Sequence, residues 1–84
     1  MNAFHREVLA EKAAVLGRAG KALAAALNTL RQGRGGARDD LVRIAADAAH
    51  AYFIQRELCG LYDHKVPIED YEIPREVMAR IGAR

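Results

Sequence analysis

The sequence predicts an all-α fold: a long antiparallel helical hairpin with two short C-terminal helices docked on it. It reads as a single domain over residues 1–84, with the bundle completed by a second copy of the chain. Three observations carry this. A heptad-like row of leucines and small residues runs through the first third. The stretch Leu41–Tyr62 has an apolar arc too wide for one neighbour. A glycine-rich turn, QGRGGA, separates the two.

The first helix is expected over about residues 3–31. Leu9, Ala13, Leu16, Gly20, Leu23, Leu27 and Leu30 recur at alternating spacings of four and three, which keeps them on one side of a helix. Phe4, Val8, Val15, Ala19 and Ala26 broaden that side. Gly20 costs about 1 kcal/mol of helix propensity relative to alanine, so close packing explains it better than chance. The turn follows over residues 32–38, where Gly33, Gly35 and Gly36 supply the backbone freedom of a helix end. So short a connection folds the next helix back antiparallel.

The second helix is expected over about residues 39–61, with Asp39 and Asp40 offering N-cap oxygens and negative charge to its first turn. Projected at about 100° per residue, Leu41, Ile44, Ala45, Ala48, Tyr52, Cys59 and Tyr62 cluster. Val42, Ala49 and Phe53 extend the arc one way, Ala51 and Leu58 the other. The arc covers roughly twice the stripe of an ordinary surface helix, so cover is expected from more than one direction. Arg43, Asp47, His50 and Glu57 form the wet side. Gln55 and Arg56 interrupt the arc at its flanks. Arg56 has two readings: a boundary residue with its stem on apolar surface and its head in water, or a partner for an acid of the C-terminal segment or of a second subunit. Beyond the polar stretch from Asp63, short helical segments are expected over about residues 66–71 and 74–81, the first near Pro67 and the second restarting at Pro74. Helices this short are not stable alone and must dock on the hairpin.

At 84 residues the chain buries only about 60–65% of its unfolded surface, and alanine-rich helices make a thin core. Both favour extra burial by oligomerisation, with a homodimer as the simplest form. The net charge of +2 is too small and too dispersed to mark a nucleic-acid binder. One cysteine cannot close an internal disulfide, and the N-terminus lacks the order of a signal peptide. Charged residues interrupt every apolar run before it reaches membrane-spanning length. The expected setting is the cytoplasm, with no membrane partner.

No constellation for chemistry stands out. There is no serine, and the single cysteine and single threonine have no partner pattern, so no catalytic residue and no enzyme activity are expected. His50, Cys59 and His64 match no metal-ligand spacing, so neither metal nor cofactor is expected. Arg31, Arg34 and Arg38 cluster around the turn. They read as compensation of the helix dipole, with phosphate contact to RNA or DNA as the alternative. Candidate interaction residues are Gln55, Arg56, Tyr52 and Tyr62 on the second helix and Leu23 and Leu27 on the first.

The segments Glu11–Gly20, Phe53–His64 and Tyr71–Gly82 resemble a small bacterial, chiefly proteobacterial, family of uncharacterised short helical proteins, a domain of unknown function. The resemblance covers most of the chain and implies a helical fold and bacterial origin, but no activity and no site. Pro67 departs from the family pattern, which bears only on the start of the third element. The functional expectation is an interaction or structural module that pairs as a homodimer. A small regulatory nucleic-acid binder using the basic turn is the alternative.

Overall fold

A computed structural model of the chain describes residues 1–82. Four helices follow in order: α1 (Ala3–Gln32), α2 (Arg38–Leu58), α3 (Lys65–Asp70) and α4 (Arg75–Arg80). No strand occurs among the described residues. Thirty residues at about 1.5 Å each make α1 a rod of about 45 Å, and it sets the 49 Å long axis of the molecule. α2 returns antiparallel along it, as the short turn requires. The α3–α4 segment then runs back along one side of the hairpin.

The seam is covered only in part. Gly20, Leu23, Leu27 and Leu30 are buried, whereas Leu16 is half-buried and Leu9 and Ala13 are exposed. The expected row of seven is therefore a core only over its C-terminal half. The reason is length: 21 residues of α2 cannot reach along 30 residues of α1. At the level where α2 stops, Leu9, Lys12, Ala13, Leu16, Leu58 and Cys59 line a shallow cleft of about 300 Å³.

On α2 the buried line is Leu41, Val42, Ala45, Ala46, Ala49 and Phe53. It is turned from the projected arc: Ala46 joins it, while Ile44 and Leu58 face out with 47% and 61% of their surface accessible. The C-terminal segment causes the turn, because α4 lies beside Val42 and the segment adds Ile73 and Val77 to the core. The aspartates do not cap. The N-cap is Ala37, which makes no side-chain bond, and Asp39 reaches across to Arg80 at 2.7 Å. Arg38 pairs with Glu76, so two ion pairs hold α4 to the start of α2.

Helix ends show where the backbone is under demand. α1 stops at Gly33, whose φ of 67° lets its N–H reach the Thr29 and Leu30 carbonyls. α2 closes with Gly60 at φ 84°, its N–H on Glu57 and that of Leu61 on Arg56. α3 closes in the same way, with Glu72 N–H on Glu69 and Ile73 N–H on Ile68, but the left-handed position is Glu72 at φ 52°. A side chain there costs about 1 kcal/mol relative to glycine. Glu72→Gly is accordingly expected to stabilise the protein by roughly 0.5–1 kcal/mol in urea unfolding. A neutral or destabilising result would mean that Glu72 makes compensating contacts.

Candidate functional site

Arg56 and Glu57 both engage His64 at the C-terminal end of α2. Arg56 donates from Nη2 to the Asp63 main-chain carbonyl at 2.9 Å and from Nε to His64 Nδ1 at 3.2 Å. With Nδ1 accepting, the ring proton belongs on Nε2, which donates to Glu57 at 2.8 Å. The His64 ring stacks on Phe53, with centroids 4.4 Å apart and planes 22° from parallel. The guanidinium also lies 5.9 Å from the Tyr52 ring centre, within cation–π reach. Arg56 thus takes a course between its two sequence readings. It is half-buried and engaged, but by a carbonyl and an imidazole rather than by an acid. The helix had to end before those groups could fold back on it, so one-dimensional spacing carried no sign of His64 as the partner.

Tyr52 meets Tyr71 edge-on at 5.4 Å, and this pair closes over Gly20. A β-carbon on Gly20 would stand 2.7 Å from the Tyr71 hydroxyl, which gives the glycine its packing reason. Gln55 is half-buried, and Tyr62 stands out with 75% of its surface accessible. Leu23 and Leu27 are fully inside the core, so they face α2 and are closed to any other molecule.

The basic turn divides. Arg31 reaches across to the Tyr71 and Glu72 carbonyls at 2.8 and 3.2 Å, closing the end of α3, not that of its own helix. Arg38 is paired with Glu76, and Arg34 is exposed. Two of the three arginines therefore hold the C-terminal segment in place. Among the described residues no group of three or more His, Cys, Asp or Glu is placed to hold a metal, and no polar or charged residue is buried. What the node can do chemically is clamp: it ties the linker after α2 to the helix it leaves.

These features define a small all-α hairpin protein with a docked C-terminal segment. The chain belongs to the family of unknown function DUF6665, matched over residues 1–84. No curated protein and no solved structure matches it.

Arg56→Ala leaves a carbonyl and a ring nitrogen without their donor and is expected to cost about 1–3 kcal/mol. Arg43→Ala removes only an exposed pair to Asp47 at 3.6 Å and should stay within about 0.5 kcal/mol. Equal melting temperatures for the two variants would contradict the clamp. A second expectation concerns alkaline pH. Burial, and then the neighbouring Tyr52, push the Tyr71 phenol above its ordinary value of 10.0. The folded chain thus holds that proton more tightly than the unfolded one. The resulting stabilisation is complete below the ordinary tyrosine pKa and is lost as pH rises through the raised one. Chemical denaturation across that range should show the loss shrinking in Tyr71→Phe; an unchanged alkaline slope would refute it.

Proposed function

We propose that the protein is a small helical interaction module without enzymatic activity, working as a homodimer in the cytoplasm of a bacterium. The observation that carries this is the placement of apolar surface. Phe4, Ile44, Leu58, Tyr62 and Val66 stand outside a core that includes no polar or charged residue. A chain that leaves such side chains in water while sorting its interior cleanly has apolar area intended for another surface. The shape agrees: the radius of gyration of 14.3 Å exceeds the roughly 12 Å of a compact chain of this length. No helix among the described residues is long and apolar enough to cross a membrane. A nucleic-acid role has less support, since Arg31 and Arg38 are already engaged within the fold.

Sedimentation of the purified chain at about 10 μM is expected to give the mass of two copies, with helicity falling on dilution as the pair separates. A single-copy mass with unchanged helicity would remove the homodimer from the proposal.

A further inference from the structure

The hairpin has two broad faces, and the C-terminal segment covers one. On α1 that face is marked by Gly20, against Tyr71, and by Arg31, bonded to the Tyr71 and Glu72 carbonyls. On α2 it is marked by Val42, beside Ala79 and Arg80, and by Phe53, stacked on His64. At about 100° per residue these positions fix where the other face must lie on each helix. On α1 it carries Phe4, Val8, Val15, Ala19, Ala22 and Ala26; on α2 it carries Ile44, Ala48, Ala51, Gln55 and Leu58. Their exposure agrees. Phe4, Ala22, Ile44, Ala51 and Leu58 are exposed, and the remainder are half-buried, with Ala26 and Ala48 packed against the core. Viewed down the hairpin, both stripes fall on the same side, opposite α3 and α4.

We infer that this face is where a second copy of the chain seats, hairpin against hairpin, making a four-helix core flanked on both outer sides by the α3–α4 segments. The inference rests on the homodimer reading and names its surface. Three observations select a second copy as occupant. The exposed surface of 5889 Å² exceeds by roughly 1,000 Å² the approximately 4,900 Å² of a compact monomer of this mass. That surplus is the scale of one partner's share, about 800 Å², of a standard stable interface. The middle of the face, from Val15 to Ala26 and from Ile44 to Ala51, carries no charge. Its borders are mixed in sign, with Glu11 and Arg18 on α1 and the Arg43–Asp47 pair on α2, so each face offers both signs for pairing with an identical one. Finally, Ala19, Ala22, Ala48 and Ala51 lie near its centre, where small side chains let two hairpins approach closely about a two-fold axis.

The test is sedimentation and circular dichroism of wild type and four variants. Ala51→Glu and Val15→Glu each set a carboxylate in the middle of the face. They should raise the dimer dissociation constant about 100-fold or more while keeping the helicity that the separated wild-type chain has. Ile54→Lys, directed away from both faces, should stay dimeric. If Ala51→Glu and Val15→Glu stay dimeric while Leu9→Glu in the end cleft dissociates, this face is wrong and the homodimer reading survives. A monomeric wild type overturns both. Should the glutamate variants unfold, Ala51→Cys in a Cys59→Ser background serves instead. Its thiol should react with a maleimide several-fold more slowly at dimeric than at monomeric concentration, and equal rates would overturn the inference.

Discussion

The contact on which the rest depends is the packing of Leu23, Leu27 and Leu30 of α1 against Leu41, Ala45 and Ala49 of α2. Large residues meet small ones across this seam, so the helices lie close and no polar group is trapped between them. The same economy makes the core thin. Alanine brings helix propensity and close approach, but it adds little apolar area to what folding removes from water. A hairpin sealed only by this line would leave both its broad faces wet, which accounts for the way the remaining residues are used.

One face is closed by a segment too short to hold itself in place. α3 and α4 are six residues each, below the length at which a helix persists in water. Their docking combines Ile73 and Val77 in the core with arginines that reach from the hairpin. Arg31 takes two carbonyls at the α3 terminus, Arg38 takes Glu76, and Arg80 returns the favour to Asp39. Exposed ion pairs contribute little each, so the carbonyl bonds of Arg31 and Arg56 carry more of the docking. They fix where the chain turns after each helix, and the apolar side chains then settle against the seam.

The clustering of arginines near the glycine turn illustrates how a local pattern misleads. Read along the chain, Arg31, Arg34 and Arg38 look like one basic patch for a phosphate. Read in space, they diverge, because helical geometry sends Arg31 and Arg38 towards different parts of the segment that crosses above them. The face proposed for docking is instead apolar and lies on the opposite side of the hairpin. It was half visible in the sequence, as the flanking row Phe4, Val8, Val15, Ala19 and Ala26 and as the excess width of the α2 arc.

The amino-acid sequence by itself determined the helices, their antiparallel return and the presence of two short docked elements. Those follow from periodicity, glycine and proline, which act within a few residues of one another. It also marked Gly20 as a packing position and Arg43, Asp47, His50 and Glu57 as solvent-facing. Only the tertiary structure decided that the leucine seam is covered over half its length and that Ala46, not Ile44, faces the core. It also decided that Arg56 answers to His64 and the Asp63 carbonyl. Those outcomes depend on where α2 ends relative to α1 and on which side the last segment crosses. No short-range pattern encodes either, because both are set by competition among whole faces for the same limited cover.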